Sequence, residues 1–267
     1  MPASLTFAGH GEGIGNAAAV VRANAVSAGL TAPVPPCPGW TVLDLVLHVG
    51  VAHRWATANL EGVPRDQWPT EESGRAEGLA SGDVLDWFDE GMAHLLHVLA
   101  SAPEDLEAFF FLKDAARPRE AWARRQCHET TIHAVDAMAA RLGRVPSAEQ
   151  TWITPGLAAD GVDELLMGFV PRKTGKVRTA PGEPPLTLLV RTTDVDRAWT
   201  LHVSGDPVIT TTGTREQEEA RGIPDAVWEG TATGLYLGVW NRGDEITESG
   251  DRPFLARWRN DQRVTWT

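Results

Sequence analysis

Between Asp83 and Ala100 the apolar residues Val84, Leu85, Trp87, Phe88, Met92, Leu95, Leu96 and Leu99 recur at three- and four-residue spacing, with charged positions between them. That is the period of a helix with one broad buried face, and it predicts a helix over this stretch. The same reasoning predicts a helix over much of Gly11 to Ala28 and another from about Arg119 to Leu142, where Gly143 and then Pro146 are stop signals. A further helix is expected after the turn Cys37-Pro38-Gly39. Its start signal has three parts: Thr41 as N-cap, Asp44 completing a variant capping box, and Trp40 with Leu45 at the positions of a hydrophobic staple. Four such helices predict a bundle.

The period changes in the second half. Leu186–Arg191, Ala198–Val203 and Val208–Thr212 are rich in β-branched and apolar residues, and Trp199, Leu201 and Val203 alternate with polar neighbours, which predicts strands. Helices are expected within Gly156–Val170 and Thr231–Trp240, and closing strands at Phe254–Trp258 and Arg263–Trp266. The expected class is therefore a helical bundle over residues 1–145 followed by a small α+β domain over 150–267, with the boundary in the short polar link near Gly143–Glu149.

Composition narrows the function more than the fold. The 267 residues are 42% hydrophobic, enough for a substantial core without disulfide staples. Cys37 and Cys127 are too few for a disulfide framework, and no secretory signal follows Met1, so a cytoplasmic location is expected. No apolar run approaches the roughly 18 residues of a membrane span. A net charge of -12 argues against a nucleic-acid-binding face and for a small-molecule partner. No long apolar heptad marks an obligate interface, so a monomer or weak oligomer is expected.

The candidate chemistry is a metal site. Glu129 and His133 stand four residues apart on the expected fourth helix, so both side chains leave one face, and His48 lies two turns into the second helix. Two imidazoles and one carboxylate satisfy three positions of a tetrahedral Zn²⁺ and leave the fourth open, the arrangement of catalytic rather than structural zinc. Each residue also has a plainer reading. His48 could be a partnered core histidine, and Glu129 with His133 an ordinary surface pair. Against the plainer readings, Trp122, Gln126, Glu129, His133, Asp136 and Ala140 form one stripe, and a polar stripe inside a bundle needs partners. Asp136 is a candidate acceptor for a ligand histidine. Among the eight histidines, His94 and His97, three apart on the third helix, could form an alternative site, but no carboxylate accompanies them as clearly as Glu129 accompanies His133, and His128, adjacent to Glu129, projects about 100° away from it. Cys37 shows no base partner and is expected to pack, Cys127 should point away from the metal, and Trp55, seven residues after His48, could wall the pocket.

Cys37-Pro38-Gly39-Trp40-Thr41 with Asp44, Leu45 and His48, then Glu129-x-x-x-His133-x-x-Asp136, resembles the mycothiol-dependent maleylpyruvate isomerase family, which belongs to the DinB-like metal-binding bundles. Trp199–Val203, Trp228-Glu229-Gly230-Thr231-Ala232 and Leu235–Arg242 are similar to the family's small C-terminal domain, so the likeness spans nearly the whole chain.

The resemblance implies a DinB-like four-helix bundle with His48, Glu129 and His133 as metal ligands, zinc or another divalent ion as the metal, and mycothiol as thiol cosubstrate. It implies an enzyme in which a metal-activated thiolate either transfers sulfur to an electrophilic small molecule or adds reversibly to a conjugated bond to permit cis–trans isomerisation. It also implies a C-terminal arginine at the substrate, for which Arg242 is the positional match; a solvated cation at a helix end is the competing reading. Two other classes stay open: a DinB-like metal-dependent hydrolase, and a non-catalytic small-molecule or lipid-binding protein.

Overall fold

The computed structural model describes residues 5–112 and 115–262. The chain divides into two compact units, one spanning Thr6–Pro146 and the other beginning at Ser147.

The first unit is built on α1 (Phe7–Ala28), α2 (Val42–Leu60), the short α3 (Glu71–Ala80), α4 (Val84–Ser101) and α5 (Pro118–Leu142). The start of α2 is as its sequence predicts: the Thr41 side chain accepts from the Asp44 amide while Asp44 accepts from the Thr41 amide. Helix α4 begins at Asp83, whose carboxylate accepts from the Leu85 and Asp86 amides. The α5 helix ends at Gly143, which takes the left-handed conformation with φ 69°.

Small residues set how closely these helices approach. Helix α1 buries Gly13, Ala17, Ala18 and Ala25, and a Cβ at Gly13 would lie 2.4 Å from Sγ of Cys127 on α5. Cys127 is thus committed to the α1–α5 contact, as its helical position predicts. On the other side of α2, a Cβ at Gly50 would meet the Trp87 ring of α4 at 2.2 Å, and the Arg54 guanidinium lies over that ring at 3.7 Å. Helix α3 has no counterpart in the expected elements. Its sequence offers almost no apolar face, and it is held instead by close packing, with Gly74 against Val51 and Gly78 against Leu47 and Trp87.

The second unit carries a five-stranded sheet in the order β3-β2-β1-β4-β5, with β1 Leu186–Thr192, β2 Ala198–Val203, β3 Ile209–Gly213, β4 Ala226–Gly230 and β5 Thr247–Gly250. The β1–β4 pair is parallel and the other three are antiparallel. Around it are α6 (Pro155–Asp163), which runs into a π-helical turn at Glu164–Phe169, α7 (Arg215–Glu219), α8 (Ala232–Val239) and α9 (Leu255–Asp261). Helix α8 is buried along its whole length, as its uniformly apolar sequence requires.

Two expectations are corrected. Phe254–Trp258 does not form a strand: α9 begins here, with one Glu248 carboxylate oxygen accepting from the Phe254 and Leu255 amides at 2.6 and 2.7 Å. Phe254 and Trp258 are four residues apart, so on a helix both reach Trp228, at ring separations of 6.3 and 5.3 Å. Strands β4 and β5 are additions to the expected elements; β5 is largely exposed and shows no alternation, while β4 buries Ala226 and Trp228 within only five residues. Arg263–Trp266 lies outside the described residues. Among the described residues, no helix is long and apolar enough to cross a membrane.

The glycine contacts generate a paired test. Gly50→Ala should lower unfolding free energy by about 1–3 kcal/mol through overpacking against Trp87. Gly15→Ala, where a Cβ meets nothing within 4 Å, should raise it by roughly 0.5–1 kcal/mol through helix propensity. Urea unfolding followed by circular dichroism measures both; equal effects would reject the packing assignment.

Candidate metal centre

Helix α5 is buried over nearly its whole length yet carries Arg125, Gln126, His128, Glu129, Thr130, Thr131, His133 and Asp136 among its buried residues. Burying these groups is costly unless each finds a partner. The i,i+4 spacing brings Nε2 of His133 to 3.3 Å from Oε1 of Glu129, and His48 on α2 brings its own Nε2 to 3.4 Å from the same oxygen. The three ligand atoms lie within 4.8 Å of one another, and all three residues are buried. His48, Glu129 and His133 are therefore brought together as the sequence suggests.

The outward atoms of this cluster are held from behind. His133 Nδ1 lies 3.0 Å from Oδ2 of the fully buried Asp136. His48 Nδ1 lies 3.4 Å from Oε2 of Glu71 at the start of α3. Arg125, one turn before Glu129, donates from Nη2 to its other oxygen, Oε2, at 3.0 Å. The half-buried Trp40 stacks near-parallel on His133 at 6.1 Å and meets His48 edge-on at 5.0 Å.

This arrangement fits a divalent ion. Ligand atoms bound at about 2.0–2.1 Å around a tetrahedral ion lie about 3.3–3.4 Å apart, which matches the two contacts to Glu129 Oε1. His48 Nε2 and Glu129 Oε1 are also buried without a hydrogen-bond partner, and orphaned atoms of this kind call for a bound group. The donor set of two nitrogens and one carboxylate oxygen suits zinc.

The electrostatics show what the cluster does without an ion. Burial opposes a charge on His48, but the Glu129 and Glu71 carboxylates outweigh it and raise its pKa to about 9. Burial likewise opposes ionisation of Glu129, and the two imidazoles with Arg125 overcome this and hold it well below the usual carboxylate range. The neighbouring His53 is different: burial and the adjacent Arg54 lower its pKa to about 3, and its Nε2 pairs with Thr130 Oγ1 at 2.9 Å. Thr130 Oγ1 itself donates to the Gln126 carbonyl, so the neutral His53 ring is the donor in that pair.

Other candidate residues fall in different places. Cys37 is not merely packed: its Sγ lies 3.3 Å from Oδ2 of Asp136, so it does have a carboxylate partner, which the sequence could not show because the two are 99 residues apart. Trp55 packs edge-on against Trp122 at 4.9 Å and also against Trp68 and Phe111. His94 pairs with Glu61 at the surface. Arg242 follows α8 in the second unit, half-buried, with Nη1 donating to the Trp240 carbonyl at 2.9 Å. Glu71 and Arg125 were missed. The Arg125 signal was present as an i−4 cation to Glu129, whereas Glu71 had none because α3 itself was unrecognised.

A helical bundle with a buried two-histidine, one-carboxylate cluster that could hold a metal ion, followed by a mixed-sheet domain, sets the class of protein to compare. Two family models match: the mycothiol maleylpyruvate isomerase N-terminal domain over residues 12–138 and the C-terminal domain of that family over residues 156–257. The chain belongs to the mycothiol-dependent maleylpyruvate isomerase family. Its fold is similar to the crystal structure of the mycothiol-dependent maleylpyruvate isomerase, with a TM-score of 0.59, 17% identity, and 93% of this chain and 95% of the other covered. A histidine-to-alanine mutant of that isomerase gives a TM-score of 0.57 at the same identity and coverage. No curated protein sequence matches the chain.

The ligand assignment is tested by metal content. His48→Ala and His133→Ala should lose zinc at stoichiometric supply, while His53→Ala and His128→Ala should retain it; equal occupancy in all four would reject the assignment. Protons provide a second measurement. With a folded pKa near 9 against about 6.5 unfolded, His48 is charged in the metal-free protein at pH 7.5 and must lose that proton to ligate. Glu129 is already ionised and releases none. Calorimetry in buffers of different ionisation enthalpy should show proton release at pH 7.5 that diminishes as pH rises through 9. Correspondingly, the His48 contribution to metal-free stability is full below pH 6.5 and is lost as pH rises through about 9.

Proposed function

We propose that this chain is a mycothiol-dependent metalloenzyme of isomerase type, acting by thiol-assisted cis–trans isomerisation or by sulfur transfer to an electrophilic small molecule. The observation that carries this reading is the convergence of His48 Nε2, His133 Nε2 and Glu129 Oε1 within 4.8 Å. The family and the name of the similar structure support mycothiol as the thiol. His48, Glu129 and His133 would hold the ion. When bound there, zinc supplies a Lewis acid with a position open to a thiol, whose pKa it lowers towards neutrality.

The remaining work belongs to the protein. Arg125 acts with the two imidazoles to keep Glu129 ionised and fixes the rotation of its carboxylate through Oε2, leaving Oε1 facing the imidazoles. Asp136 fixes the His133 ring with Nε2 directed inward. Trp40 packs against both rings, near-parallel to His133 and edge-on to His48. Arg242 is proposed to meet an anionic end of the substrate. Its planar fork suits a carboxylate.

Zinc-loaded protein should consume an unsaturated or otherwise electrophilic substrate faster with mycothiol than with glutathione or cysteine, and chelation should abolish the difference. Arg242→Ala should raise KM for an anionic substrate by about 10-fold, the loss of roughly 1.4 kcal/mol expected for a charged hydrogen bond, and leave an uncharged electrophile unaffected. Metal-dependent cleavage by water, with no response to mycothiol, would favour a hydrolase.

A further inference from the structure

The three ligand residues differ in where their outer partners come from. Asp136 and Arg125 stand on α5 beside the ligands they hold. The partner of His48 comes from α3, outside the four long helices. Glu71 is the first residue of α3, and its side chain is 58% exposed, whereas His48 is only 8% exposed. An exposed ion pair contributes little by itself. This contact differs because one partner is a buried imidazole whose Nε2 faces the metal cluster, and Glu71 is what meets its Nδ1.

Helix α3 is fixed so that Glu71 can reach. Its start is a capping box between Thr70 and Ser73. Four residues beyond Glu71, Arg75 pairs with Asp44, the capping residue of α2 one turn before His48. Gly74 and Gly78 let α3 lie against Val51, Leu47 and Trp87; a Cβ there would fall 2.6 Å from Val51 and 2.4 Å from Leu47. At the far end, Glu77 accepts from the Trp87 indole at 2.9 Å. These contacts place the start of α3 over the His48 ring.

We propose that Glu71 is the positioning residue for His48, and that through it the docking of α3 on α2 is coupled to metal retention by His48, Glu129 and His133. The inference rests on the metal-centre reading but not on the identity of the thiol or the reaction. Its physical basis is that a ligand imidazole whose distal nitrogen donates to a carboxylate is fixed in tautomer and rotation, and binds metal more tightly than a free ring. Because the coupling is reciprocal, metal binding must also stabilise the docked α3.

The experiment is a zinc titration of the purified full chain against a competing chelator, for the wild type, Glu71→Ala, Glu71→Gln and the neighbouring control Glu72→Ala. Zinc affinity should fall about 10- to 100-fold in Glu71→Ala, fall less in Glu71→Gln, which keeps an acceptor without the charge, and be unchanged in Glu72→Ala. Hydrogen exchange adds a readout that a purely structural role would not move: zinc should slow exchange across α3 in the wild type and not in Glu71→Ala. If Glu71→Ala fails to fold, Glu71→Gln carries the comparison. Affinity in the Glu71 variants within about twofold of wild type, an equal loss in Glu72→Ala, or α3 exchange indifferent to zinc in the wild type would overturn the proposal. A wild type that takes up no zinc would overturn the metal-centre reading itself, which is a different result.

Discussion

The structure of the first unit depends on how the Glu129 carboxylate is buried. A charged group removed from water costs several kcal/mol unless it is paired and hydrogen-bonded, and Glu129 is 5% exposed in the middle of α5. Its two oxygens divide the work, Oε2 to Arg125 and Oε1 to the two imidazoles. That division dictates much around it. Helix α2 must present a histidine at its second turn, so its start must be fixed, which explains the full capping box at Thr41. Helix α1 packs on α5 chiefly through glycine, alanine and aliphatic residues, with His10 edge-on to His128 and Asn24 accepting from Arg141. Among the polar residues between, Thr130 links His53 to the α5 backbone.

The inward-facing and outward-facing atoms of His48, Glu129 and His133 also divide cleanly. Both imidazoles turn Nε2 inward and Nδ1 towards a carboxylate. Ring orientation is therefore set by residues outside the three-atom cluster. The cost is visible in His48. With the same carboxylates around it and no metal, its proton is held up to a pH near 9, so the features that organise the site also make metal and proton competitors for it.

Much of this was legible in the sequence, and the omissions have physical reasons. The long helices announced themselves because each must bury one broad face, and His48, Glu129 and His133 followed from helical spacing on those faces. Asp136 was legible for the same reason, three residues from His133. Glu71 was hidden because α3 is held by glycine contacts and an ion pair rather than an apolar stripe, so no period marks it. The bond between Cys37 and Asp136 joins residues too far apart in sequence for any local rule. In the second unit, Trp199, Leu201 and Val203 alternate because β2 lies inside the sheet, while β5 lies at the edge and need not alternate. Phe254–Trp258 was misread as a strand because a short apolar run has no clear period, and its helix is started by Glu248 from β5.

At 17% identity to the similar isomerase structure, the overall likeness establishes the fold, and the chemistry must be argued from the site. Three ligands and an open position do not by themselves separate thiol chemistry from hydrolysis, because water and a thiol can both occupy a fourth position and both lose a proton there. What separates them is the surrounding surface. A hydrolase needs a base placed to take a proton from water, and the carboxylates nearest the cluster are engaged otherwise: Glu129 faces both imidazoles and Arg125, Asp136 pairs with His133 and Cys37, and Glu71 meets the far side of His48. A metal would lower the pKa of bound water and of a bound thiol alike, so ionisation alone does not choose between them. Glu129, Asp136 and Glu71 each hold a neighbouring side chain and none is placed to steer a water molecule, and this, with a family description that names mycothiol, is what favours the thiol reading proposed above.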